Sequence, residues 1–470
     1  MRYQETEIGR NSKSVAEILG ISDQGDGMDS FISTPDKYSL MPPPSQSAFR
    51  PFRFVHTADL HLGSRVMSLP RADQKISADL ADATYGAWRE IIDLCIREAV
   101  DFLLVAGDVY DSADKNIRAQ LQFKEGLKRL GENGIAAYIV RGNHDPDDAW
   151  SRSIAMPENA YIFSSKEPEV VIHHDQDGRP LAAIAGMSFA TAHIRDNLAE
   201  QFPQRETEWP YTIGLLHCSV GGARGHEPYA PCSIQDLRQC GYDYWALGHI
   251  HQPTILDSGD PYIVYAGNPQ GRDMGETGER GCRLVTVGAD GAVEVEDVRT
   301  CGHLWKEIEI DVSGSEDLGI LEEEIRRNLA MVSEEEGVSV VCRLILAGAT
   351  TLHRELVAKG GIAALEDRLI EDPPAGRYPF YPERIVCRTV PVIDRDAALA
   401  RDDILGEICR QSDLAISSEN GRSRLREEIS SLYQSYAQVY TSGPDDEEFD
   451  AIIREAEGLL LSQLSEGGEE

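Results

Sequence analysis

The sequence predicts an α/β fold: a large unit with parallel strands, a smaller α/β unit after it, and a polar helical tail. Three observations lead there. Short continuous apolar runs recur, each bounded by Gly and polar residues, and they read as strands buried on both faces. Helical patterns lie between the first three runs, as in βαβ units. The runs also end repeatedly in Asp, His or Asn, and functional groups gather at strand ends in such sheets.

The first fifty residues are polar, rich in Ser, Asp and Pro, and run into Pro42-Pro43-Pro44. They read as a disordered extension (1–50), with helical spacing only around Val15 to Ile21. Order begins at Phe52. Arg53 to Thr57 leads into Ala58-Asp59-Leu60-His61, and Phe102 to Ala106 into Gly107-Asp108. Ala137 to Val140 leads into Arg141-Gly142-Asn143-His144-Asp145, Thr212 to Leu216 into His217, and Tyr244 to Leu247 into Gly248-His249-Ile250-His251. Helical spacing covers Tyr85 to Glu98 and Ile117 to Leu130. Residues 282–299 read as a hairpin turning at Asp290-Gly291. This large unit spans 51–304.

The second unit (305–400) carries strand patterns at Lys306 to Val312, Val338 to Leu346 and Ile385 to Val392, with an acidic amphipathic helix at about Glu316 to Leu329. Residues 401–470 read as an acidic helical region broken at Gly443-Pro444. Its apolar positions Phe449, Ile452, Ile453, Ala456, Leu459 and Leu460 repeat at helical spacing, suited to packing on the chain's own second unit or on a partner.

A 41% hydrophobic content supports a sizeable core. No apolar run approaches the roughly 18 residues of a membrane span, and the N-terminus lacks a secretory pattern, so no membrane association is expected. The nine cysteines are scattered from Cys95 to Cys409 without a CxxC pair, which argues against a zinc ribbon or disulfide framework and fits a reduced, cytoplasmic protein. The charge is strongly negative, 45 basic against 80 acidic residues, or -35. That opposes steering toward a polyanion. Two features soften the conflict: carboxylates in a metal site are neutralised by cations, and part of the excess lies in the tail at Asp445 to Glu448.

The chemistry lies at the strand ends. On an extended chain, residues i and i+2 point to the same side, so Asp59 with His61, and His249 with His251, can each face one cluster. Asp108 follows a strand and a Gly, where backbone crowding is relieved. Asn143 and His144 are adjacent and should point differently, one to metal and one to substrate. A set of Asp, Asn and His without Cys suits manganese, magnesium, iron or zinc. Two such ions, bridged by a carboxylate such as Asp108, would lower a water's pKa and spread the charge of an in-line displacement, while His144 protonates the leaving oxygen. An isolated DxH or HxH is more often a surface or turn pair, and a lone His217 more often a structural histidine. The ordered set of five segments, holding five of the twelve histidines, carries the reading.

That ordered set, DLH, GD, GNHD, a strand-end His and GHIH, resembles the calcineurin-like metallophosphoesterase family over roughly residues 53–300. The resemblance implies a four-layer αββα sandwich with the site at one edge. It places Asp59, His61, Asp108 and His251 on one metal and Asp108, Asn143, His217 and His249 on the other, with His144 as catalytic histidine and manganese as the usual ion. HTADLHLGSR, VAGDVYD, ALGHIHQP and the Gly-rich stretch Tyr265 to Gly281 look like the SbcD-type, YhaO-like DNA repair exonuclease branch. Two positions depart from its pattern: Asp111 and Asp273 stand where a His is common. The resemblance further implies that 305–400 caps the site, that the C-terminal helices bind an SMC-like coiled-coil ATPase, and that the chain forms a homodimer.

Lys115, Arg118, Lys124, Lys128 and Arg129 form a basic island on the helix after Asp108, and Arg65 and Arg71 follow the first ligand pair. In a DNA enzyme these would contact phosphates; otherwise they are a solvated helix face. The expected function is a metal-dependent DNA exo- or endonuclease subunit in DNA repair. The alternatives are a phosphoesterase acting on cyclic nucleotides, other small phosphodiesters or phosphoproteins, and a non-catalytic DNA-end-binding scaffold. The added unit after residue 305 favours the first, and the full ligand set disfavours the last.

Overall fold

In the computed structural model, the apolar runs become strands because each is covered on both faces. The structure describes residues 49–64, 80, 82–111, 117–147, 150, 154–221, 229–371, 376–418, 420–427 and 446–466. The N-terminal extension, the helical spacing at 432–440, and Arg65, Arg71 and Lys115 lie outside these residues.

The chain begins β1 (Phe52–Thr57), α1 (Ala83–Arg97), β2 (Phe102–Ala106), α2 (Ile117–Glu132), β3 (Ala136–Val140) and β4 (Ala160–Ile162). The four strands pair in parallel. Alternation then sorts their side chains. Phe54, Phe102 and Leu104 face the middle of the molecule, whereas Val55, Leu103 and Val105 face α1 and α2, against Trp88, Ile91, Phe123 and Leu127. At about 25 cal/mol per Å² of apolar surface, this two-sided burial is what sets the sheet in place.

A second sheet follows: β5 (Glu169–His174), β6 (Pro180–Met187), β7 (Tyr211–His217), the short α3 (Ile234–Gln239), β8 (Tyr244–Gly248), β9 (Thr254–Ser258) and β10 (Tyr262–Tyr265). Its order is β5-β6-β7-β8-β10-β9, with β6, β7, β8 and β10 parallel and the edge strands antiparallel. The hairpin of β11 (Gly281–Val287) and β12 (Val293–Arg299) returns to the first sheet, giving β12-β11-β1-β2-β3-β4. The two sheets meet through Phe54, Phe102, Ile184, Ile213, Leu215, Tyr244 and Val264. The outer face of the second sheet packs Trp245, Leu247 and Ile263 against Phe202 and Leu237. The layers are thus helix, sheet, sheet and a thinner helical cover, as expected. Strands β4, β5, β6, β9 and β10 were not expected from the sequence.

The remaining elements are β13 (His303–Asp311), α4 (Leu318–Glu336), β14 (Ser339–Thr350), α5 (His353–Val357), α6 (Gly361–Glu371), β15 (Phe380–Pro391), α7 (Arg395–Leu399), α8 (Ile404–Ser417) and α9 (Asp446–Glu466). β13, β14 and β15 form a three-stranded parallel sheet. Asp317 starts α4 by accepting from the backbone N–H groups of Gly319 and Ile320, and Gly337, at φ 67°, ends it. This sheet is stitched to the large unit at Trp305, whose indole N–H donates to the Gly271 carbonyl at 2.8 Å. Gln270 adds bonds to the backbone of Gly302 and His303. On α9, Phe449, Ile453 and Leu461 are buried, while Ile452, Leu459 and Leu460 are exposed. Among the described residues no helix is long and apolar enough to cross a membrane, and the nine cysteines are free thiols.

Candidate metal centre

The loops after β1, β2, β3, β7 and β8 meet at one edge of the sandwich. Backbone bonds lace them together. Asp59 N–H donates to the Gly107 carbonyl at 3.0 Å, His61 N–H to that of Asp108 at 3.0 Å, and Leu62 N–H to that of Val109 at 2.9 Å. The buried Asp145 carboxylate accepts from the Val109 N–H at 2.9 Å and the Gly142 N–H at 2.7 Å, tying the second loop to the third. Asp108 Oδ1 accepts from the His144 N–H at 2.8 Å, and both Asp59 oxygens accept from the His249 N–H at 3.1 Å.

One expectation needs correcting. Asp59 and His61 do turn to a common cluster, but not because they alternate on a strand. β1 has ended at Thr57, and the two residues have φ of 52° and 42°. Asp108 (52°) and His249 (99°) share this left-handed backbone, so four of the six described non-glycine residues with positive φ are candidate ligands. Such conformations cost on the order of 1–3 kcal/mol each and persist only where surrounding contacts impose them. Two glycines make the crowding tolerable. A Cβ on Gly107, itself at φ 90°, would strike the His217 ring, and one on Gly142 would strike the Asp108 carboxylate.

The histidines share one design. His61 Nδ1 lies 2.9 Å from Asp111 Oδ1, and His251 Nδ1 lies 2.6 Å from Glu276 Oε1. His217 Nδ1 lies 2.9 Å from the Ala106 carbonyl oxygen. Each of these oxygens only accepts, so each Nδ1 carries a proton and each ring aims its Nε2 inward, as a lone pair whenever a cation is there to receive it. The Nε2 atoms of His61 and His251 are 3.3 Å apart with the Asp59 carboxylate close by. His217 Nε2 faces Asn143 Oδ1 at 2.9 Å and Asp108 Oδ2 at 3.4 Å. Lone pairs converging on one another and on carboxylates repel unless a cation lies among them. The donor set therefore fits divalent metal ions, with the outer hydrogen bonds fixing each ring's tautomer. Asp108 Oδ2 also lies 3.9 Å from His61 Nε2, between the two histidine groups. The buried His249 ring packs against that of His217, with centroids 5.4 Å apart.

Charge tells the same story. Burial raises Asp59 to about 6. Burial, then the Asp108 charge, raises Asp145 to about 7. Burial disfavours the His217 cation, but Asp108 and Asp59 outweigh it and hold the ring's pKa at about 9. Burial lowers His61 to about 4. In the absence of metal, then, a proton on His217 supplies the cation that the carboxylates require.

His144 stands apart from the buried set. Its side chain is 49% exposed, and its Nδ1 lies 2.9 Å from the same Asp111 oxygen that holds His61. The bond to Asp111 raises its pKa above the ordinary value. Burial opposes ionisation of Asp111, but hydrogen bonds from His144 and His61 outweigh it and keep the carboxyl well below the usual range. The sequence marked Asp111 only as a departure from a family pattern; its place three residues after Asp108, at the same strand end, was the available signal. Glu276 and Arg272 were likewise unmarked as site residues. They lie in the Gly-rich stretch after GHIH, which the structure brings to His251.

The basic island sits on α2. Arg118 pairs with Asp82 at 3.0 Å, Lys128 with Glu132 at 3.6 Å and Arg129 with Asp93 at 2.6 Å. Lys124 is half-buried on the same helix.

Residues 52–253 match the family model for calcineurin-like phosphoesterases, and residues 305–389 match the middle domain of the metallophosphoesterase YhaO. The chain is 37% identical over 295 residues to a Bacillus subtilis (strain 168) protein described as the uncharacterized metallophosphoesterase YhaO, covering 63% of this chain and 71% of that one. It is 27% identical over 222 residues to the DNA double-strand break repair protein Mre11 of Sulfurisphaera tokodaii, covering 46% of this chain and 54% of the other. Identity to a Bacillus subtilis (strain 168) protein named as a subunit of the nuclease SbcCD is 23% over 257 residues, 48% of this chain and 63% of that one. The two-sheet scaffold agrees with these matches, and the chain belongs to the calcineurin-like metallophosphoesterase family.

Proposed function

We propose that this chain is a two-metal phosphodiesterase whose substrate is DNA, working as an exo- or endonuclease subunit in DNA repair. The observation that carries the hydrolytic reading is the convergence of His61, His251 and His217 Nε2 atoms on Asp59 and Asp108, each ring locked from behind. Asp59, His61, Asp108 and His251 would hold one ion, and Asp108, Asn143, His217 and His249 the other, with manganese the first choice. Once bound, the ions supply charge neutralisation at the phosphoryl group and a water of lowered pKa. The chain does the rest. Asp108 fixes the spacing of the two groups. Asp111 stays ionised, orients His144 and favours its cation, so that His144 donates a proton to the leaving oxygen.

DNA as substrate is supported by the Mre11 and SbcCD relatives and by the added β13–β15 unit. The SbcCD relative is named as one subunit of a nuclease, which supports a partner subunit for this chain; the exposed Ile452, Leu459 and Leu460 of α9 offer that partner an apolar face. A second reading, hydrolysis of small phosphodiesters, is favoured by one observation: the basic side chains Arg118, Lys128 and Arg129 are already paired with acids in a chain of net charge -35.

The test is degradation of end-labelled duplex DNA with manganese, with and without EDTA, beside Asp108→Ala and with bis(p-nitrophenyl) phosphate in parallel. Metal-dependent DNA cleavage lost in the variant upholds the proposal. Cleavage of the small diester alone transfers it to the second reading, and cleavage of neither removes both for the isolated chain.

A further inference from the structure

Behind His251 lies a guanidinium that the metal centre does not account for. Arg272 follows β10 on the Gly-rich loop. Its Nη2 lies 3.1 Å from Glu276 Oε1 and 3.3 Å from His251 Nδ1, and its Nε lies 3.5 Å from Glu276 Oε2. Glu276 is itself held by the Asn268 side-chain amide and by the Arg272 backbone N–H, each at 2.8 Å. The fork is therefore fixed along one side, which removes most of the rotamer freedom that an arginine loses on binding. Its other terminal nitrogen, Nη1, makes no hydrogen bond among the described residues. The side chain is not sealed from solvent either, since it keeps 21% of its exposure. Its contact with His251 places Arg272 beside the group formed by Asp59, His61 and His251, and its charge acts on Asp59 and His61 as well as on Glu276.

A structural prop for His251 would need only Glu276, which already holds Nδ1 at 2.6 Å. A preorganised arginine with one N–H pair left over, beside a site that binds an anionic phosphoryl group, has a further use. We propose that Arg272 forms a phosphate subsite, its Nη1 donating to a non-bridging oxygen of the substrate phosphodiester and, after hydrolysis, of the phosphomonoester product. This rests on the phosphodiesterase reading for its substrate, but the anion it binds is any tetrahedral phosphate. The subsite makes use of a cation that is scarce in this acidic protein, and it places that cation where the phosphoryl charge is held.

The experiment uses the full chain loaded with manganese, as wild type, Arg272→Gln and Arg272→Lys. Metal content is measured first, then inorganic phosphate binding by calorimetry, then kcat and KM for bis(p-nitrophenyl) phosphate. Arg272→Gln should keep its metal content and weaken phosphate binding about tenfold to a hundredfold, as expected for the loss of one charge-assisted hydrogen bond. Its KM should rise by more than kcat falls, and Arg272→Lys should recover part of the phosphate affinity. Unchanged phosphate binding in Arg272→Gln overturns the subsite. Loss of metal from Arg272→Gln also overturns it, by making the residue a prop for His251. A wild type that binds phosphate through Arg272 yet cleaves no diester leaves the subsite standing and defeats the phosphodiesterase reading instead.

Discussion

Asp111→Asn separates charge from shape at the junction of the two histidine roles. Both His61 Nδ1 and His144 Nδ1 meet the same oxygen, Asp111 Oδ1, at 2.9 Å. An amide can present an oxygen in the same place, so the geometry survives and only the negative charge is lost. Hydrogen bonds to charged groups contribute about 1.5–3 kcal/mol and neutral ones about 0.5–1.5, a difference of roughly 1–1.5 kcal/mol per bond. At about 1.4 kcal/mol per decade, the His144 bond predicts a fall of about tenfold in kcat/KM. The His61 bond predicts a similar fall in metal affinity, at the lower end of the usual range for such outer hydrogen-bond partners. The pH profile carries the sharper signature. Asp111 raises the pKa of His144, so the acid form is abundant below that raised value and is lost as pH rises through it. Removing the charge must move the alkaline limb of kcat/KM to lower pH. The assay is bis(p-nitrophenyl) phosphate hydrolysis at saturating manganese across the neutral and alkaline range, with metal content measured on the same samples. An alkaline limb that stays in place, in a variant that keeps its metal, would refute the assignment of His144 as an acid tuned by Asp111.

Further outcomes follow from the same geometry. His144→Gln should keep both metals, because the ring is half-exposed and outside the converging set, and should lose about 10²–10⁴ in turnover, read as kcat against metal content. The metal-free protein should be pH-sensitive in a defined direction. The raised pKa of His217, about 9 against an ordinary 6.5, contributes stability that is complete below 6.5 and lost as pH rises through 9. Asp59 and Asp145, at about 6 and about 7, have largely titrated by then. Thermal melts in EDTA should therefore fall between pH 7 and 9, and manganese should flatten that slope by replacing the proton. Charge reversal at Lys124 and Lys128 should weaken binding to duplex DNA and reduce the salt slope by up to about two, measured by titration at several salt concentrations. Unchanged affinity would remove α2 from the DNA path.

Burial on both faces helped make strands legible but did not suffice, since β6 (Pro180–Met187) is buried along all but its first residue and was not expected. β1, β2, β3, β7 and β8 read as largely apolar runs because both faces of each are buried, with the few polar side chains among them, such as His56, hydrogen-bonded inside, and the candidate ligands lie at or just after their ends. β5 was not legible for the opposite reason: at an edge, Glu169–His174 is half-exposed along most of its length. The site was legible as a list of residue types but not as an arrangement. The i, i+2 spacing points to the right side chains for the wrong reason, because the left-handed backbone of Asp59, His61 and His249 depends on contacts from loops up to 190 positions away, as between the His249 N–H and Asp59. The partners behind the histidines were hidden for the same reason. Asp111 meets His61 across 50 positions and Glu276 meets His251 across 25, and no local pattern announces either pairing.

The central claim is that the inward-facing Nε2 atoms form a two-metal centre. Anomalous diffraction from manganese-soaked crystals tests it directly. Two peaks about 3.5–4 Å apart are expected, one among Asp59, His61 and His251, the other beside His217 and Asn143, with Asp108 between them. A manganese-loaded crystal with no peak within bonding distance of the His61, His251 or His217 Nε2 atoms would contradict it.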